Sequence, residues 1–380
     1  MNRKWLIWVL AVSVLLSGCG QWPSGHYYSA EPHQAQSVQS NNRNVSAENY
    51  TQLREAVGKF VESGDETALV AVPDYDQAAL EKDIETAVKY VMEVNPIGAY
   101  AVDDISYELG TNAGQPALSL NISYRHGASE IKQIRKAVDD DAAKEMIELA
   151  LELCNPSIVI QIANHTGLDF VQVVEDYAFE HPDLVMEQPE VNYIVYPQST
   201  GFNRVVEVKF TYQTGRDDLR NMQSRVAPVF SSAMLYVSGD GAQREKFSQL
   251  YSFLMERFDY KFETSITPAY SLLRHGVGDC RAFATVYAAM CSKAGLDCLV
   301  VYGARDGQPW YWNLVCIDGQ YYHVDLLRCA EQEKYEELPD EAMTGYVWDY
   351  YSFPACPDYP PETTDPTAPE ETTVDTEENN

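Results

Sequence analysis

The stretch from Arg274 to Asp325 constrains this chain more than any other part of it. Gly276-Val277-Gly278-Asp279-Cys280 is a glycine-rich turn that ends in a cysteine. Phe283, Val286, Tyr287, Met290 and Ala294 then recur at three- and four-residue spacing, which predicts an amphipathic helix. Cys280 therefore sits at or near a helix N-terminus. Unpaired amides there carry partial positive charge, so the expectation is a stabilised thiolate and a lowered pKa. Two short strands follow, Trp310 to Ile317 and Gln320 to Leu326, joined by the turn signal Asp318-Gly319. A two-residue turn pairs Ile317 with Gln320 and sets Trp312 opposite Asp325. Trp310 becomes the diagonal neighbour of Asp325 on the same face.

Gly-Val-Gly-Asp-Cys-Arg-x-Phe-Ala opens the helix, and Trp-Asn-x-Val-x-x-Asp-Gly-x-Tyr-Tyr-His-Val-Asp spans the hairpin. Together they resemble the transglutaminase-like superfamily, which has a papain-like cysteine fold. The resemblance covers residues 240–356 and implies Cys280 as nucleophile and Asp325 as the acidic orienter. Members of that family carry a catalytic His one residue before Trp-Asn, as in His-Ala-Trp-Asn. Here that position is Trp310. A Cys-His-Asp site needs a base that holds the thiolate as an ion pair and protonates the leaving group. Indole nitrogen is a donor only and does not titrate near neutral pH. The remaining candidates for a base are His323, two residues before Asp325 on the same strand face, and His275, in the turn before Cys280.

The first residues read as an export signal: Met1-Asn2-Arg3-Lys4, an apolar run from Trp5, then Leu16-Ser17-Gly18-Cys19. Trp5 to Ser17 is 13 residues, shorter than the roughly 20 a spanning helix needs. Leu-Ser-Gly-Cys resembles a bacterial lipoprotein signal, which implies lipidation at Cys19 and a tether to the outer face of the cytoplasmic membrane. Residues 1–19 are thus the signal and 20–48, rich in Ser, Gln, Asn and His, a spacer. Residues 357–380 form an acidic tail of Pro, Thr, Asp and Glu without a basic residue. The formal charge of −30 excludes a nucleic-acid partner.

Seven cysteines remain besides Cys19: Cys154, Cys280, Cys291, Cys298, Cys316, Cys329 and Cys356. Outside the cell an odd number fits one free thiol and up to three bridges, with Cys329–Cys356 the first expected. Cys291 lies three helical turns after Cys280 on the inward face and reads as a small core residue. No Cys-x-x-Cys or clustered His suggests a metal, and no cofactor is implied.

Between spacer and cysteine domain the chain repeats itself. Tyr124 precedes Ile131 and Val138 by the same intervals that separate Tyr212 from Leu219 and Val226. Each set follows a pair of alternating strands, Ile105 to Tyr124 and Tyr193 to Tyr212. Strands at Ala68–Val72 and Ser157–Ile162 precede helices at Leu80–Val91 and Leu168–Phe179. The expectation is an α+β chain: two β-α-β-β-α repeats, 49–146 and 147–232, then the transglutaminase-like domain. The repeats carry no nucleophile–base pair, phosphate loop or metal spacing.

The functional expectation is a membrane-anchored extracellular protein whose transglutaminase-like domain is inactive and binds peptide or cell-wall ligands through a cleft rich in aromatic residues. The alternative is an active cysteine peptidase, cell-wall hydrolase or acyl transferase using Cys280, Asp325 and His323 or another base.

Overall fold

The structure is a computed structural model that describes residues 45–198, 201–261 and 268–357. The signal segment, Cys19, most of the spacer and all but the first residue of the tail lie outside them. Among the described residues no helix is long and apolar enough to cross a membrane.

The first unit comprises β1 (Val45–Ser46), α1 (Tyr50–Ser63), β2 (Thr67–Ala71), α2 (Gln77–Glu93), α3 (Pro96–Ala101), β3 (Val102–Asn112), β4 (Gln115–Tyr124) and α4 (Ala128–Ile131). The second comprises β5 (Arg135–Asp139), α5 (Asp140–Glu152), β6 (Ser157–Asn164), α6 (Phe170–Glu180), β7 (Glu190–Tyr196) and β8 (Arg204–Thr211). Their sheets have the same strand order, β1-β2-β4-β3 and β5-β6-β8-β7. In each, the first strand runs parallel to the second and the last two form a hairpin. The helices α1 and α2 cover one sheet with Leu53, Val57, Leu80 and Ile84, and α5 and α6 cover the other with Ile147, Leu151, Phe170 and Val174.

Two sequence boundaries move. The expected division at 146/147 falls inside α5, whose apolar stripe packs on Ile160 and Ile162 of the second sheet. Val138, expected in a helix of the first unit, lies in β5, which opens the second sheet. A five-residue strand here runs directly into a helix, and a single apolar position fits either period.

The third part comprises α7 (Arg216–Tyr236), α8 (Gln243–Met255), β9 (Asp259–Tyr260), α9 (Pro268–His275), β10 (Val277–Gly278), α10 (Cys280–Lys293), β11 (Cys298–Arg305), β12 (Gln308–Ile317), β13 (Gln320–Val324), α11 (Leu326–Glu331) and β14 (Tyr346–Trp348). Its main sheet is β13-β12-β11-β14, antiparallel throughout. The hairpin register is as expected, Ile317 opposite Gln320 and Asn313 opposite Val324. Asp318 and Gly319 both have positive φ, 52° and 82°, as a two-residue turn between twisted strands requires.

The core of this part holds Phe247, Phe253, Phe283, Tyr287, Met290, Trp312 and Leu314. It also holds Leu219, Val226, Phe230 and Ala233 of α7, a helix expected to belong to the preceding repeat. The cysteine domain therefore begins structurally near residue 216 rather than 240. Lys293 reinforces the join to the second unit through an ion pair with buried Asp183, Nζ to Oδ2 2.7 Å.

Candidate functional site

Cys280 is the first residue of α10. Asp279 caps the helix, its carboxylate accepting from the Ala282 N–H at 2.8 Å. Gly278 allows this approach: a Cβ there would lie 2.9 Å from the Ala282 Cβ and 3.0 Å from that of Leu272. Short parallel pairing of Val277-Gly278 with Asp259-Tyr260 then fixes the turn against the preceding segment.

The thiol departs from expectation. Cys280 is only 8% exposed. Its pKa is raised, chiefly by burial, which penalises the thiolate. The backbone N–H groups of Tyr311 and Arg281 hydrogen-bond to the sulfur and oppose this, while the carboxylates of Asp279 and Asp325 add to it. The helix N-terminus does supply its donor, but desolvation and two nearby negative charges outweigh it.

Asp325 caps α11, accepting from the Leu327 and Arg328 N–H groups at 3.0 and 3.3 Å. It is 3% exposed. Its other oxygen accepts from Trp310 Nε1 at 2.9 Å and from the Tyr346 hydroxyl at 2.6 Å, and lies 3.5 Å from the Arg305 guanidinium. Arg305 also sits over the rings of Trp310 and Tyr346 and pairs with Glu331. Trp310 thus faces Asp325 as the strand register predicts. Its indole N–H makes the bond to the carboxylate that an orienting carboxylate takes from an imidazole N–H, with no second nitrogen behind it. Burial and Asp325 push the Tyr346 hydroxyl far up, so it stays protonated and donates.

His323 is committed to other partners. His323 is 1% exposed, and Trp312 Nε1 donates to its Nδ1 at 2.9 Å. Because indole is a donor only, Nδ1 accepts and the ring proton resides on Nε2, which donates to Asp340 Oδ1 at 2.8 Å. Both ring nitrogens are occupied, and burial lowers the His323 pKa despite Asp340. The expectation of His323 as a base is corrected on this geometry. His275 ends α9, exposed, with its ring edge-on to Tyr270.

His323, Asp340 and Cys356 bring their donor atoms within 4.8 Å of one another, a grouping invisible in the sequence. Asp340 accepts from His323 Nε2 and from the Cys356 N–H. The indole bond to Nδ1 leaves Nε2 protonated, so this cluster reads as a hydrogen-bonded clamp on the chain's return rather than as metal ligands. Cys356 is pushed up to about 12 by burial and Asp340. It makes no bridge to Cys329, which accepts from the Glu336 N–H at 3.3 Å. That expected disulfide is not formed, because the two sulfurs face different partners.

Three residues near the thiol escaped the sequence reading. Arg305 and the partly exposed Tyr260, whose ring lies 6.0 Å from that of Trp310, carry no motif. Phe179 comes from α6 of the second unit, 6.4 Å from Tyr311. Tyr302 pairs with Tyr311 at 4.9 Å, and Arg281 lies over Phe179 and Tyr311 at 5.6 and 5.8 Å. The result is an aromatic rim beside the sulfur, with Tyr302 58% exposed. Much of the other aromatic density is core: Trp312, Tyr322 and Tyr346 are buried, while Tyr350 and Tyr351 are exposed.

Residues 233–326 match the family model of the transglutaminase-like superfamily. A search of curated proteins finds no match. Among solved structures, the chain is similar to a TGase at 11% identity and TM-score 0.26, over 55% of this chain and 60% of that one. A candidate cysteine protease from Cytophaga hutchinsonii aligns at 14% identity and TM-score 0.25, over 42% and 71%. A candidate protease from Parabacteroides distasonis aligns at 11% and 0.22, over 67% and 39%. The chain thus spans about 60% of the length of the first of these. The family match places a transglutaminase-like domain on the helix and strands that hold Cys280, Trp310 and Asp325.

Proposed function

We propose that this chain is a lipid-anchored surface protein whose transglutaminase-like domain binds peptide or cell-wall ligands without turning them over. One observation carries the reading: the indole N–H of Trp310 is bonded to Asp325 where a base would be oriented. No lone pair is available there to take a proton from Cys280 or return one to a leaving group. The raised pKa of Cys280 supports the same reading, since a protonated thiol is a poor nucleophile. The ligand surface is the rim of Phe179, Tyr302, Tyr311 and Arg281, where rings and a guanidinium offer stacking beside the thiol.

Anchoring rests on Leu16-Ser17-Gly18-Cys19 and the apolar run before it. Growth with an alkyne fatty acid should label the parent and not Cys19→Ala. Activity is tested with peptide amides, glutamine acceptors and muropeptides. No turnover above background is expected, while binding of one ligand class should weaken in Tyr302→Ala. Turnover that disappears in Cys280→Ala would overturn the proposal.

A further inference from the structure

Two guanidinium groups stand at the site, and they differ in their partners. Arg305 is neutralised, with Asp325 at 3.5 Å and an ion pair to Glu331. Arg281, the second residue of α10, is partly buried. Its guanidinium lies over the rings of Phe179 and Tyr311 at 5.6 and 5.8 Å. Rings attract its charge but do not satisfy its N–H donors as an oxygen would. Among the described residues no carboxylate pairs with it, although the chain carries 57 acidic side chains against 27 basic ones. Asp279 and Asp325 are committed elsewhere: Asp279 caps α10 through the Ala282 N–H, and Asp325 accepts from Trp310 and Tyr346. Both rings that hold Arg281 are set by packed elements. Tyr311 sits in β12 opposite Tyr302. Phe179 lies in the last turn of α6, and Asp183, four residues on, pairs with Lys293 at the far end of α10.

We propose that Arg281 is the carboxylate-recognising residue of the aromatic rim, and that the ligand is a peptide ending in a free carboxylate with an apolar or aromatic last side chain. The inference rests on the binding reading above and narrows it. A guanidinium presents a planar fork of donors that matches the two oxygens of a carboxylate. The acid must sit close to a group that stacks, because Tyr311 touches Arg281 on one side and Tyr302 on the other, the two tyrosine rings 4.9 Å apart. A terminal residue carries its carboxylate and its side chain on the same α-carbon, which meets that spacing. An internal Asp or Glu would rely on a neighbour for the ring contact, and in an extended chain neighbouring side chains point to opposite faces. Tyr302, 58% exposed, receives the last side chain while Arg281 receives the acid. A terminal amide lacks the charge and binds more weakly.

The test titrates the full chain with three probes followed by ligand-observed NMR: acetyl-alanyl-phenylalanine with a free carboxylate, its terminal amide, and acetyl-phenylalanyl-glutamic acid diamide, which carries an internal acid. The free acid should bind about tenfold or more tighter than either other probe, as expected for a charge-assisted hydrogen bond. Arg281→Gln, with folding checked by circular dichroism, should bring the acid down to the affinity of the amide, and Arg281→Lys should recover part of the difference. Tyr302→Ala should weaken the acid and the amide alike. Equal binding of acid and amide by the parent, or no binding of the acid, would overturn the inference. So would an acid preference that survives in Arg281→Gln. An internal acid that binds as well as the terminal one would overturn the assignment to a chain end. The binding reading fails separately: it falls if Tyr302→Ala leaves every affinity unchanged or if a probe is turned over in a manner lost in Cys280→Ala.

Discussion

Replacing Trp310 by histidine tests the geometry of the site directly. Trp310 is 8% exposed and donates its indole N–H to Asp325 at 2.9 Å. An imidazole Nδ1–H reaching the same oxygen would keep that bond and leave Nε2 as a base toward Cys280. The stability cost comes from lost ring volume. Full truncation of a buried aromatic costs about 3–5 kcal/mol, and histidine refills part of that space, so about 2–3 kcal/mol is expected. A hydrogen bond to a charged partner is worth about 1.5–3 kcal/mol, so a variant that fails to remake it should lose correspondingly more. The chemical gain follows from thiolate population. Each unit by which the thiol pKa falls raises the thiolate fraction tenfold at pH 6, while nucleophilicity drops by about threefold. The net gain is about threefold per unit. An imidazolium partner lowers a cysteine by several units, so alkylation of Cys280 at pH 6 should rise at least about tenfold. The assay is the iodoacetamide rate on the tryptic peptide His275–Arg281, with folding checked by circular dichroism. A folded variant whose rate equals the parent's would refute the placement of position 310 beside the thiol.

Asp325→Ala should destabilise the fold by about 3–5 kcal/mol in urea titration. It strands the Trp310 and Tyr346 donors and the Arg305 charge and removes the cap of α11; a loss under 1 kcal/mol would show the hub to be slack. His323 is buried neutral with a folded pKa below its ordinary 6.5. The unfolded chain therefore binds the extra proton first, and stability present above about pH 6.5 is lost as pH falls toward the folded pKa. The urea midpoint should drop between pH 7 and pH 5.5 in the parent, and a uniform midpoint there would contradict the assignment. A fragment of residues 216–357 should be more stable than one of 240–357, because α7 buries Leu219, Val226 and Phe230 at about 2 kcal/mol each; equal midpoints would mean that α7 is dispensable.

The sequence alone determined everything that rests on local pattern. Apolar spacing after Cys280 marked α10, Asp318-Gly319 marked the hairpin, and counting back from that turn placed Trp310 beside Asp325. A two-residue turn admits one register, and a one-residue slip would bury the wrong face, so this inference reached tertiary contact from spacing alone. Paired strands and covering helices were legible in both earlier units for the same reason. The boundaries were not: α5 sits with the sheet after it, and α7 serves the cysteine domain. An amphipathic stripe declares that a helix has a buried face, not which neighbour it is buried against. The state of the thiol also belonged to the tertiary structure. A helix N-terminus is a local feature, but the burial and the Asp325 carboxylate that outweigh it come from strands and helices remote in sequence. The tautomer of His323, the clamp with Asp340 and the rim residue Phe179 depend likewise on segments that meet only when the chain is packed.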